Sequence, residues 1–256
     1  MGERKLQKMK IIQINGWQGK LLPFLLPFIQ KENPDILCMQ EVTFSNVKAA
    51  KLPILGLLDY GETVGKHFSD YYFSPLFSFQ ALGAKVDYGN AIFSKYRLEK
   101  KETVFVNNSY KSNETAKNFT KNIVNLQLVS LKIDSKILSV SNHHGFHELD
   151  PLGSNHSTEV MNKAIRHLKH TRSPIIVCGD FNINPQSPAM KEVRVLGLRN
   201  LTVESGTKST LSKIHYAKKQ VVCDYIFVSE DVKVKNFKVS EEIVSDHKAL
   251  ILEFGI

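Results

Sequence analysis

Eight polar residues of this chain, Asn15, Glu41, His144, Asp180, Asn182, Asp224, Asp246 and His247, stand at or beside the end of an apolar run. Singly, each reads as a surface loop residue or a capped turn. Carboxylates, amides and imidazoles are costly to bury without partners, so eight such positions imply either exposure or mutual satisfaction. The chemistry that would use them together is metal-assisted hydrolysis of a phosphoester. A phosphodiester anion repels nucleophiles, so its hydrolysis needs a hard cation, a base that orients and deprotonates water, and donors for the charge developing on phosphorus. Oxygen ligands select Mg²⁺, with Mn²⁺ as a substitute, over zinc, which favours His and Cys. Glu41 is the best single ligand candidate.

The elements that must position these residues are short buried strands. Ile175 to Cys178, bounded by Pro174 and Gly179, is a continuous apolar run, and Asp180 and Asn182 emerge from its carboxyl end with Phe181 between them. In layered α/β folds ligands gather at that end of a strand. P-D-I-L-C-M-Q-E at 34–41 has the same plan and delivers Gln40 and Glu41. Lys10 to Ile14 ends at Asn15, and Ile137 to Ser141, paired with Ile123 to Lys132, exits into N-H-H-G-F-H at 142–147. Val221 to Val228 carries Asp224, and Ser245-Asp246-His247 precedes a last strand, Lys248 to Phe254. Further strands are expected in the aromatic stretch from Tyr71 to Phe79, at Gly89 to Ser94 and at Leu98 to Val106.

Helices are expected at Leu21 to Lys31, short or distorted because Pro27 interrupts it, around Phe44 to Lys51, and near Pro188 to Leu196. Another is expected at Ser157 to His170, where Met161, Ala164, Ile165 and Leu168 recur at helical spacing. Asn107 to Lys121, rich in Asn, Ser, Thr and Lys, reads as an exposed loop.

With 256 residues, 42% hydrophobic, the chain can bury a sizeable core. It shows no repeat, low-complexity run or Gly/Ser linker, so one domain over 1–256, with residues 1–8 as a flexible tail, is expected. No segment reaches the roughly 18 to 20 apolar residues of a membrane span. The charged start of the chain lacks a secretory pattern, which makes a cytoplasmic, monomeric protein the expectation. Cys38, Cys178 and Cys223 lie in apolar runs without C-x-x-C spacing and read as core residues, not as disulfide partners or zinc ligands. Lys and Arg number 34 against 25 Asp and Glu, a formal charge of +9, which favours anionic partners, nucleic acid most obviously.

In order along the chain, N-G-W at 15–17, Q-E at 40–41, G-N-A-I-F-S at 89–94, N-H-H at 142–144, G-D-F-N at 179–182, D-Y-I-F at 224–227 and S-D-H at 245–247 resemble the motifs of the endonuclease/exonuclease/phosphatase superfamily, the DNase I-like proteins. The resemblance implies an α/β (α+β) four-layer sandwich: two mixed β-sheets packed face to face, flanked by helices, with catalytic loops at one rim. It implies Glu41 as the principal Mg²⁺ ligand, with Asn15 and Asp246 completing or bracing the site, and Asp180 as the residue that positions and activates water. Asn182 would hold the phosphate or the nucleophile, His247 would contact the scissile phosphate with Asp224 orienting its ring, and His144 would be a second donor. Asn90 is assigned to substrate binding. His143 stands where the family has a small or apolar residue; with His147 it forms either a His-rich loop beside the phosphate or a metal site of its own.

The leading expectation is a divalent-metal-dependent phosphodiesterase or nuclease acting on nucleic acid. The alternatives are a phosphatase or phospholipase-type enzyme acting on inositol phosphates or lipid head groups, and a binding module without catalysis. The segment between Phe44 and Gly89 carries no motif that names a substrate.

Overall fold

A computed structural model describes residues 8–47, 51–52, 56–113, 122–172, 174–216 and 221–256. Residues 1–7 of the expected tail and 114–121 of the expected loop lie outside them. The strands are β1 (Met9–Asn15), β2 (Ile36–Ser45), β3 (Lys51–Leu52), β4 (Gly56–Leu57), β5 (Asp70–Ala81), β6 (Ala84–Ser94) and β7 (Leu98–Asn107), followed by β8 (Val124–Ile133), β9 (Lys136–His144), β10 (Ile175–Asp180), β11 (Arg199–Asn200), β12 (Asp224–Val228), β13 (Lys233–Val239) and β14 (Leu250–Gly255). The helices are α1 (Leu22–Glu32), α2 (Tyr60–Gly65), α3 (Asn155–Leu168), α4 (Pro188–Glu192) and α5 (Leu201–Glu204).

Two six-stranded sheets, ordered β13-β14-β1-β2-β6-β5 and β11-β12-β10-β9-β8-β7, dominate. Each is mixed: β1 runs parallel to β2, β10 runs parallel to β9, and the other pairings are antiparallel. Period-two alternation sorts the side chains into layers. Ile11, Ile36 and Cys38 of one sheet meet Val140, Ile176, Cys178 and Ile226 of the other in the inter-sheet core. The opposite parity, Ile12, Ile14, Leu37 and Met39, packs under Leu25, Phe28 and Ile29 of α1. Val177, Tyr225 and Phe227 pack under Val160, Met161 and Ile165 of α3. Helix, sheet, sheet and helix are therefore the four layers.

Parallel β1 and β2 bring Asn15 opposite Gln40, and parallel β9 and β10 bring His144 opposite Asp180. Antiparallel β12 starts where β10 ends, so Asp224 also pairs with Asp180. The six-residue β10 approaches β9 closely at Gly179, where a Cβ would lie 2.0 Å from the His143 carbonyl oxygen.

Several expectations change. α1 runs uninterrupted for 11 residues with Pro27 inside it. Pro27 deletes a bond to a carbonyl in the exposed first turn, a cost of about 3 kcal/mol. Burial of Leu22, Leu25, Phe28 and Ile29, each worth about 1.5 to 3 kcal/mol, outweighs it. No helix begins at Phe44: Phe44 and Ser45 continue β2, paired with Asp87 and Val86 of β6, and the Phe44 ring packs 4.4 Å from that of Phe73. Residues 48–50 of that expected helix lie outside the described ones. The edge strand β13, which the sequence reading omits, pairs with β14 through a bulge between Val234 and Asn236. Helix α3 starts at Asn155, two residues before the expected start, because Ser154 and Ser157 form a reciprocal capping box.

Replacing Gly179 by alanine forces β9 and β10 apart and should cost about 3 kcal/mol, read as a lower urea midpoint with an unchanged slope; an unchanged midpoint would show that the two strands can separate freely there.

Candidate active site

Asp180 is 1% exposed at the end of β10. Its Oδ1 accepts the backbone N–H of Asn182 at 3.0 Å, an Asx turn that Asn182 closes with φ 57°. Its Oδ2 accepts from the Asn15 side-chain amide at 3.1 Å, with His247 Nε2 3.7 Å and His144 Nε2 3.8 Å away. One carboxylate oxygen is thus fixed by the backbone while the other is shared among an amide and two imidazoles, from the ends of β1 and β9 and from the lead to β14. Asn182 turns its side-chain amide to the Gly145 carbonyl at 3.1 Å, so it holds the loop after β9 against the end of β10.

Glu41 reaches this rim through a distortion. Alternation along β2 would turn it toward the helix layer, but the β2–β6 register breaks between Met39 and Val42, and Glu41 takes φ 58°. The strained backbone is held by Tyr60, whose hydroxyl donates to the Glu41 carbonyl at 2.6 Å, and by the Gly16 N–H bonded to the Gln40 carbonyl at 2.9 Å. The carboxylate then accepts from Asn15 Nδ2 at 3.2 Å and Gln18 Nε2 at 2.7 Å. Because Asn15 Oδ1 accepts the Trp17 N–H at 3.0 Å, the Asn15 amide nitrogen is the group facing the carboxylates. Asn15 therefore braces Glu41 and Asp180.

Asp246 lies in the lead to β14, where Ser245 Oγ donates to the Asn15 carbonyl at 2.6 Å and lies 3.2 Å from Asp246 Oδ1. Burial, reinforced by the charges of Glu41 and Asp180, raises the Asp246 carboxyl to about 6 despite the opposing pull of His247. Hard oxygens and crowded negative charge are a donor set that fits a divalent cation such as Mg²⁺.

Beside it, His247 Nδ1 is 2.9 Å from Asp224 Oδ2. Burial disfavours both charges, yet the pair prevails over it: Asp224 sits below its ordinary value through His247, Thr210 and Gln13, while Asp224 and Asp180 hold His247 well above the usual histidine range. Thr210 Oγ1 accepts the N–H groups of Cys223 and Asp224 at 3.0 and 3.1 Å, and Gln13 Nε2 donates to Asp224 Oδ1 at 3.0 Å.

Gln13 opens a chain of buried amides between the sheets. Its Nε2 also lies 3.0 Å from Gln40 Oε1, Gln40 donates to Asn142 at 2.6 Å, and Asn142 donates to Gln127 at 2.9 Å. Asn90, expected to bind substrate, belongs to this layer: it is fully buried and donates to Asn125 at 2.9 Å. His143 likewise faces away from the rim. It is 1% exposed with its ring edge-on to Phe181, its Nδ1 lies 3.1 Å from the Asn125 carbonyl, and burial lowers it to about 4. Alternation explains this, since neighbouring His144 takes the inner face. Among the described residues no metal-capable group includes His143 or His147.

Residues that sequence reasoning missed support the site or stand beside it. Gln13 interrupts the apolar run Ile11 to Ile14 with the parity of Asn15, and that pattern was a usable signal. Tyr60, Thr210 and His215 gave none. The side chain of His215 is 10% exposed and its Nε2 lies 4.0 Å from Asp246 Oδ2.

The sequence pattern of the Endonuclease/Exonuclease/phosphatase family matches residues 23–247. The chain belongs to the endonuclease/exonuclease/phosphatase family. Solved structures of similar fold include an endonuclease/exonuclease/phosphatase from Beutenbergia cavernae, with TM-score 0.72 and 16% identity over 98% of this chain and 72% of that one. The human Nocturnin catalytic domain with bound sulfate has TM-score 0.68 and 17% identity over 97% and 93% of the two chains. A mannosyl-6-phosphatase from Bacteroides thetaiotaomicron has TM-score 0.66 and 14% identity over 97% and 100%. No curated protein matches. Members of this family are phosphoester hydrolases.

The raised His247 contributes stability that is full below its unfolded pKa of about 6.5 and is lost as pH rises through the higher folded value. Asp224→Asn should bring the His247 titration, followed by NMR, down toward the ordinary range. Gln13→Leu should move it the same way by less, and Gln127→Leu, in the same amide chain but away from Asp224, should leave it in place. Equal titrations in all four proteins would refute the coupling.

Proposed function

We propose that this protein is a Mg²⁺-dependent phosphodiesterase acting on nucleic acid. The observation that carries the reading is Asp180 Oδ2, held by Asn15 and flanked by the Nε2 atoms of His144 and His247, beside Glu41 and Asp246. Glu41 and Asp246 would hold the cation, and Asn15 and Gln18 would orient Glu41. When bound, a divalent cation supplies neutralisation of phosphate charge and lowers the pKa of water.

The chain's own residues do the rest. Asp180, pinned by Asn182, orients a water and accepts its proton. Protonated His247, kept charged by Asp224, donates from Nε2 to a non-bridging phosphate oxygen as charge develops there. His144, on the other flank of Asp180, donates to a second oxygen. The formal charge of +9 favours a polyanion as substrate. Among the described residues no helix is long and apolar enough to cross a membrane.

With Mg²⁺ the purified protein should hydrolyse bis-p-nitrophenyl phosphate, and EDTA should abolish the activity. Asp180→Asn should lower kcat by about 10³-fold or more, as loss of a general base and its orienting role does; equal activity in the variant would remove Asp180 from catalysis. Glu41→Gln should raise the Mg²⁺ concentration needed for half-maximal activity, whereas unchanged metal affinity by calorimetry would take Glu41 out of the metal site. On a panel of single-stranded DNA, duplex DNA with an abasic site, RNA, an inositol phosphate and sphingomyelin, the nucleic acids should be cleaved fastest, with KM rising steeply with salt. Faster turnover of the inositol phosphate or the lipid would replace the nucleic-acid assignment with the small-substrate one.

A further inference from the structure

His215 is the third histidine at the rim, and the proposed reaction does not use it. The stretch that carries it is locked beside the lead to β14: Ser212 N–H bonds the Asp246 carbonyl at 2.8 Å, His215 N–H bonds the Ser212 carbonyl at 3.1 Å, and Leu211 bridges to His247. This fixes His215 Nε2 4.0 Å from Asp246 Oδ2 and sets the His215 ring edge-on to that of His247, with centroids 5.7 Å apart. One ligand atom each from His215, Asp246 and His247 lies within 4.8 Å of the others.

We infer that His215, Asp246 and His247 form a second cation site, selective for a borderline transition metal such as Zn²⁺, and that its occupation inhibits the enzyme. Two imidazoles and one carboxylate suit Zn²⁺, whereas Mg²⁺ favours oxygen alone. His247 has the orientation of a metal-bound histidine, because its Nδ1 is engaged by a carboxylate, Asp224 at 2.9 Å, leaving Nε2 as the ligand atom. Small inward movements would close the separations onto an ion with bonds of about 2.0 to 2.2 Å. Coordination displaces the Nε2 proton of His247 to solvent, one per ion. The same ion claims Asp246, which the hard-cation site shares, and removes His247 as a donor. The inhibitory consequence rests on the proposed function; the binding itself does not.

Co²⁺ serves as the probe, since Zn²⁺ is spectroscopically silent. Titrating Co²⁺ into the full chain should produce visible d–d absorption of low-coordinate character, bleached by added Zn²⁺. In His215→Asn the affinity should fall about tenfold or more, while His147→Asn should bind as wild type. With Mg²⁺ and bis-p-nitrophenyl phosphate, Zn²⁺ should inhibit the wild type, and His215→Asn should need about tenfold more Zn²⁺ for half inhibition with unchanged Zn²⁺-free activity. If His215→Asn has a lower Tm, His215→Gln replaces it. Absent Co²⁺ absorption, or equal affinity in wild type and variant, overturns the site. Histidine-dependent Co²⁺ binding in a protein that hydrolyses nothing sinks the proposed function and leaves the site standing.

Discussion

Four carboxylates, Glu41, Asp180, Asp224 and Asp246, converge at one rim of the sandwich, and three of them are buried. An unpaired buried carboxylate costs several kcal/mol, a large share of the roughly 5 to 15 kcal/mol by which most domains are stable. The surroundings of the rim can be understood as responses to that one electrostatic load. Asp224 is neutralised by His247, Asp180 divides its two oxygens between a backbone turn and three side chains, and Glu41 is held by two amides. Asp246 is pushed upward by burial and by the neighbouring charges of Glu41 and Asp180, and two candidate cation sites share it.

The amide chain is the second layer of this response. A wholly apolar inter-sheet core would leave Asp224 Oδ1 facing hydrocarbon. Gln13 meets it, Gln40 meets Gln13, Asn142 meets Gln40, and Gln127 ends the chain on the backbone carbonyls of Tyr72 and Asn90. Among the described residues Gln13 Oε1 has no hydrogen-bond partner, a desolvation cost of about 1 to 3 kcal/mol accepted where the Asp224–His247 pair is held.

Much of this was legible in the sequence because burial and chemistry change at the same place. Apolar runs stop where strands stop at Asn15, His144 and Asp180, so these could be placed at strand ends that parallel pairing puts together, whereas Glu41 stands at a register break inside β2 and Asp224 opens β12. What one residue's type cannot encode is which face it takes. His143 and Asn90 looked functional and proved to be interior, while Glu41 has the wrong parity and reaches the rim only by a bulge fixed by Tyr60, 19 residues away. His215 is brought beside Asp246 by backbone pairing that local sequence does not announce. The helix expected at Phe44 failed because pairing with β6 outweighed local preference.

The inter-sheet layer is divided between two kinds of adhesive. At one end Ile11, Ile36, Val140 and Ile176 make contacts that tolerate small displacements. At the end that carries the candidate site, directional hydrogen bonds run from sheet to sheet, Gln40 to Asn142 and Asn90 to Asn125 among them. Apolar contacts carry no direction, whereas hydrogen bonds fix distance and angle, so the relative position of the two sheets is specified most sharply at the rim where the polar residues converge.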